Sequence, residues 1–102
     1  METPVVDIPA EKVLAFGRKW GLQEVSIFGS AAHGPFQADS DVDILISFLP
    51  DHAMTFEAFL AMRDELADMF GGRKIDLVEK HLLKNPFRRR SILASRRIIY
   101  AA

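Results

Sequence analysis

No cysteine occurs anywhere in the 102 residues. That excludes a disulfide framework, a zinc site built on thiolates and a cysteine nucleophile, and it is compatible with the cytoplasm, the location expected here. No apolar run approaches the roughly 20 residues of a membrane span, so no membrane role is expected. The opening METPVVDIPAEK has no basic region followed by an apolar core and does not read as a secretory signal. Internal repeats, low-complexity segments and domain linkers are lacking as well. A single domain over residues 1–102 follows from that and from the length.

Net charge is nearly absent too, at −1, but the balance is uneven. Residues 1–70 carry 4 Lys+Arg against 12 Asp+Glu, whereas residues 71–102 carry 9 against 2. A basic C-terminal third is either a solvated helix or a surface for a nucleotide, an RNA end or an acidic partner. No aromatic residues interleave with its arginines in the manner of single-strand binders.

What is present is enough apolar material for a core, 49% of the chain, in alternating helix and strand patterns. Pro9 and Glu11 mark a helix start, Val13, Phe16 and Trp20 recur at helical spacing, and Gly21 ends it. Trp20 reads as a core or interface anchor. Residues 23–28 and Val42–Phe48 read as strands. Thr55 is a candidate N-cap for a helix whose stripe is Phe56, Phe59, Leu60, Leu66, Ala67 and Phe70, stopped by Gly71-Gly72. Met54, Met62 and Met69 read as packing residues. Arg73–Val78 reads as a third strand, Asn85-Pro86 as the start of a helix running to Ser95, and Ile98-Ile99-Tyr100 as a short closing strand. This alternation predicts an α/β chain. Met1–Val6 is expected to be a loose end. Trp20, the basic helix and Ile98–Tyr100 are candidate protein-contact surfaces.

The stretch from Val25 to Phe48, VSIFGSAAHGPFQADSDVDILISF, carries the chemistry. A strand runs into Gly29-Ser30, and such a turn into a helix exposes backbone N–H groups that hold phosphate, with the Ser30 hydroxyl as a further donor. Asp41 and Asp43 sit two apart at the start of the next strand, so both carboxylates face one side. Two carboxylates so placed repel unless a cation lies between them, and a hard divalent ion such as Mg²⁺ prefers their oxygens. Asp76 lies inside the third apolar strand and leaves two readings open. It is either in water on an edge strand or a third metal-facing carboxylate. Glu79, its competitor, lies at the strand's end and on the opposite face.

Gly29-Ser30, ten residues, then Asp41-Val42-Asp43 resembles the GS-x10-DxD signature of the DNA polymerase β-type nucleotidyltransferases. The short chain resembles their minimal form, the MNT antitoxin type, over most of its length. The resemblance implies a small mixed sheet with helices mainly on one face, and a third carboxylate at the position of Asp76. It implies a catalytic set of Asp41, Asp43 and Asp76, the same three holding two Mg²⁺ ions, and nucleotide contacts from Gly29, Ser30, Asp41 and Asp43. One ion would bridge the nucleotide's phosphates, and the other would lower the pKa of the attacking hydroxyl. The hydroxyl would attack the α-phosphate of ATP, with Asp76 able to take its proton, and pyrophosphate would leave. The implied partner is a HEPN-domain ribonuclease toxin, AMP-modified on a tyrosine. One departure stands out: where the family commonly has Arg or Lys, this chain has His33. That departure, with the lack of a substrate domain, favours an alternative in which the chain neutralises a toxin by covering it. The basic C-terminal third suggests a further alternative, transfer to an RNA 3′ end.

Overall fold

The computed structural model describes residues 6–37 and 39–102. Its order is α1 (Ala10–Lys19), β1 (Leu22–Phe28), α2 (Ser30–His33), β2 (Val42–Phe48), α3 (Phe56–Met69), β3 (Ile75–Glu79), a 3-10 turn (Lys80–Leu82), α4 (Pro86–Ser95) and β4 (Arg97–Ala101). Strand alternation and turn residues place each element close to its expected bounds. The third strand starts two residues late and takes in Glu79, because Arg73 is used elsewhere and Glu79 accepts from the Leu82 N–H at 3.0 Å to cap the 3-10 turn. No pattern in the sequence had announced that turn.

The four strands form one mixed sheet in the order β3-β2-β1-β4. β1 pairs antiparallel with both β2 and β4, while β2 and β3 run parallel. A parallel pair needs a crossover, and α3 supplies it. The main core lies on one face, where Leu22, Val25, Ile27, Val42, Ile44 and Ile46 are fully buried beneath Phe16 of α1 and Met62 and Leu66 of α3. Each such aliphatic side chain contributes about 1.5–3 kcal/mol relative to leaving it in water. A smaller cluster covers the other face, where Phe28 and Leu45 meet Leu83 and Ile92, the latter from α4. The helices therefore lie mainly, not wholly, on one side.

Caps act where the sequence placed them. Thr55 accepts from the Ala58 N–H at 3.0 Å, and Asn85 accepts from Phe87 and Arg88 N–H at 3.0 and 3.1 Å. Trp20 packs on the core and donates Nε1 to Glu65, so it is an internal anchor. Tyr100 lies so close over Gly17 that a Cβ there would strike its ring, which leaves Ile98 as the exposed one of Ile98, Ile99 and Tyr100. Two expectations need correction. Val6 is buried and its N–H bonds to the Ala31 carbonyl, so it is not a loose end; Met1 to Val5 lie outside the described residues. Phe56 is 75% exposed instead of facing the core, because it opens the first turn of α3 and lines a cavity at the free edge of β3.

Much of the basic C-terminal third is structural. Arg96 reaches Glu24 on β1, with Nε to Oε2 at 2.5 Å, and Ser26 donates to the same oxygen. Burial pushes the Glu24 carboxyl up, but the hydrogen bonds from Arg96 and Ser26 and the charges of Arg96 and Lys80 outweigh it, leaving the pKa below the ordinary 4.5. Arg97 donates to the Ala32 carbonyl and Arg89 to that of Lys80. Among the described residues no helix is long and apolar enough to cross a membrane.

Candidate active site

Gly29 follows the last residue of β1 and has φ of 64°, a backbone conformation that L side chains rarely adopt. It also has no room for one, since a Cβ would run into Oδ2 of Asp43. The glycine thus lets the turn approach the carboxylate. The turn continues into α2, where Ala32 and His33 N–H groups both bond to the Gly29 carbonyl at 3.1 Å. With only four residues, α2 contributes little dipole, so any anion affinity comes from the amides of the turn and from Ser30.

Antiparallel pairing sets Phe28 opposite Asp43, which brings the glycine turn alongside the start of β2. Parallel pairing sets Asp43 opposite Asp76. In a sheet, register partners project to the same face. Asp41 precedes β2 and lies two residues from Asp43, within reach of its charge. Asp41 and Asp43 are half-buried, whereas Asp76 is exposed. Both readings of Asp76 hold in part, since β3 is indeed an edge strand yet sets its carboxylate beside Asp43. Glu79 is buried on the opposite face and occupied as a cap.

The electrostatics follow. Burial, the charges of Asp76 and Asp41, and a hydrogen bond shared with Asp76 raise the Asp43 pKa from 3.8 to about 6, against a smaller opposing pull from Arg88. Three carboxylates crowd here, although among the described residues no group of three His, Cys, Asp or Glu side chains is already gathered as a metal cage.

The loop joining the two halves of the motif is held by Arg73, which donates to the carbonyls of Gln37 at 2.9 Å and Ser40 at 3.2 Å and stacks on Phe36. Neither Arg73 nor Arg88 stood out in the sequence. Arg88 is one of three consecutive arginines, and only the tertiary fold distinguishes it as the one whose charge acts on Asp43. His33 is exposed and donates Nε2 to the Ser95 carbonyl at 2.5 Å, tying α2 to the end of α4.

A small mixed sheet with this helix arrangement is the fold of a nucleotidyl-transferring enzyme. The chain belongs to the nucleotidyltransferase domain family, whose sequence model matches residues 11–99. It is 40% identical over 76 residues to a Methanocaldococcus jannaschii protein provisionally named a protein adenylyltransferase, covering 72% of each chain. Among solved structures it is similar to a toxin–antitoxin crystallised with AMP-PNP, with a TM-score of 0.75, 18% identity, and coverage of 93% of this chain and 75% of that one. It is also similar to a Shewanella oneidensis complex of a tri-AMPylated HEPN toxin with its MNT antitoxin. There the TM-score is 0.64 and the identity 17%, over 91% of this chain and 70% of the other.

Proposed function

We propose that this protein moves AMP from ATP to a tyrosine hydroxyl on a HEPN-domain ribonuclease and so acts as its antitoxin. The observation that carries this reading is the register that sets Asp76 beside Asp43 while Gly29 lies against Asp43 from the other side. The relative named a protein adenylyltransferase supports the reaction, and the complex of an AMPylated HEPN toxin with its MNT antitoxin supports the partner.

Gly29 and Ser30 would hold the β- and γ-phosphates through turn amides and a hydroxyl. Asp41, Asp43 and Asp76 suit Mg²⁺, because a cluster that raises one of its own carboxyls to about 6 is relieved by a divalent charge. Mg²⁺ is commonly bound by one or two carboxylates together with substrate phosphates, so a complete protein cage is not required. When bound, the metal neutralises phosphate charge and acidifies the attacking hydroxyl. Asp76, the most exposed of the three, would accept the hydroxyl's proton as the oxygen bonds to the α-phosphorus and pyrophosphate leaves.

The test is mass spectrometry of a purified HEPN-domain protein encoded beside this chain, after incubation with ATP and Mg²⁺. Addition of one or more AMP masses is expected. A second reading, neutralisation by covering the toxin, is favoured by His33, which is engaged with Ser95 in place of the family's fixed cation. Silencing of the toxin in a stable complex with no added mass would establish that second reading and remove the first.

A further inference from the structure

α4 packs on the sheet face that carries Asp43. Its Ile92 is buried with Phe28 and Leu45, and Leu45 lies two residues along β2 from Asp43, on the same face. Arg88 is one turn before Ile92, and residues at that spacing share a helix face. Arg88 is therefore turned toward the carboxylates. It lines a cavity of about 510 Å³ together with Asp76, and its charge reaches Asp43. The neighbouring arginines do not share that place. Arg89 donates to the Lys80 carbonyl at 2.8 Å, and Arg90, two residues from Arg88, does not share its face of the helix. Among the described residues no hydrogen bond or ion pair holds the exposed guanidinium of Arg88. At its other end the same helix engages the His33 ring through the Ser95 carbonyl at 2.5 Å. α4 thus occupies the titratable ring at position 33 and sets a permanent cation over the acidic cluster.

On the transferase reading above, on which this inference rests, the β- and γ-phosphates sit at the turn after β1 and the acceptor's proton passes to Asp76 on β3. The α-phosphate then lies between the two, over Asp43. We propose that Arg88 contacts the non-bridging oxygens of this α-phosphate and stabilises the charge they carry in the transition state. As the acceptor oxygen bonds to the α-phosphorus, the bond to the bridging oxygen breaks and pyrophosphate leaves with its electron pair. The guanidinium neither takes nor gives a proton. It presents parallel N–H donors to two oxygens, a geometry that a lysine ammonium reproduces only as a point charge. A fixed donor aimed at developing charge lowers the barrier more than it tightens the ground state.

The test compares Arg88→Gln, Arg88→Lys and Arg90→Gln in the intact protein with two probes, AMP and inorganic pyrophosphate, each titrated with Mg²⁺ by calorimetry. The only phosphate of AMP is the α-phosphate. Arg88→Gln should weaken AMP by about tenfold, one charge-assisted contact, and leave pyrophosphate unchanged. Arg88→Lys should restore part of the loss, and Arg90→Gln should move neither probe. In transfer from ATP, Arg88→Gln should lower kcat by roughly a hundredfold or more while KM for ATP changes far less. Weakened pyrophosphate with unchanged AMP would put Arg88 at the leaving phosphates and overturn the proposal. So would an Arg88→Gln protein that binds AMP and transfers at the wild-type kcat, and that result would leave the transferase reading standing. Arg88-dependent AMP binding in a wild-type protein that modifies no acceptor would keep the contact and remove the transferase reading.

Discussion

Asp43 and Asp76 are register partners across the parallel β2–β3 pair, and the charge of Asp76 bears on the Asp43 carboxyl. Asp76→Asn retains size and removes a charge. Transfer should fall by roughly a hundredfold or more, as for loss of a general base. ATP binding and partner binding should survive, since Gly29, Ser30, Asp41 and Asp43 remain. Toxin mass after incubation with ATP and Mg²⁺ reads the first, and calorimetry and co-elution read the others.

The crowding at Asp43 sets a pH dependence in metal-free protein. Its folded pKa of about 6 lies above the ordinary 3.8. A raised carboxyl contributes stability that is present below the unfolded pKa and is lost as pH rises through the folded one. Wild-type protein in chelator should therefore lose stability between about pH 4 and 6. Asp43→Asn should remove that loss and stabilise the metal-free fold at neutral pH by on the order of 1 kcal/mol, after discounting for solvent screening. Denaturant melts at several pH values check it, and a flat wild-type profile would contradict it.

Gly29→Ala combines an unfavourable φ with a collision at Asp43. It should destabilise the fold by about 1–3 kcal/mol and abolish transfer by displacing the carboxylate. In an Asp43→Ala background the collision is gone, and the cost should fall to about 1 kcal/mol, the backbone term alone. Equal costs in both backgrounds would show that the contact is not what excludes a side chain.

Arg96→Ala strands a buried Glu24. Lys80, at 3.9 Å, and Ser26 remain, so the expected cost is about 2–3 kcal/mol, at or just below the range for breaking a buried pair. Glu24→Gln in the same background should recover part of it. Because the Glu24 pKa is depressed from 4.5, its contribution in wild type is present above that pH and lost as pH falls through the lower folded value. Arg96→Ala should flatten that acid limb, as measured by urea unfolding from neutral pH downward.

The His33 ring is engaged with the Ser95 carbonyl, and the residue's link to the phosphate turn runs through its backbone N–H, which bonds to the Gly29 carbonyl. His33→Ala should cost about 1 kcal/mol or less, as for one exposed hydrogen bond, and leave KM for ATP within about twofold. A tenfold rise in that KM would place the ring at the triphosphate.

Local chemistry was legible in the sequence because it is local. Asp41 and Asp43 share a face since strand side chains alternate, whatever the strand pairs with. Thr55 and Asn85 cap helices through groups two or three residues away. Gly29 announces a turn because only a glycine takes that φ cheaply. Tertiary structure alone decided the rest. That Asp76 falls opposite Asp43, not one residue to either side, is a matter of register between strands more than thirty residues apart, and a one-residue slip would turn it to the other face. Arg88 is distinguished from Arg89 and Arg90 only by where α4 docks on the sheet, and Arg96 finds Glu24 only because β4 pairs with β1. A charge carries no sign of its partner along the chain; folding chooses which groups are near enough for the interaction to outweigh their loss of water.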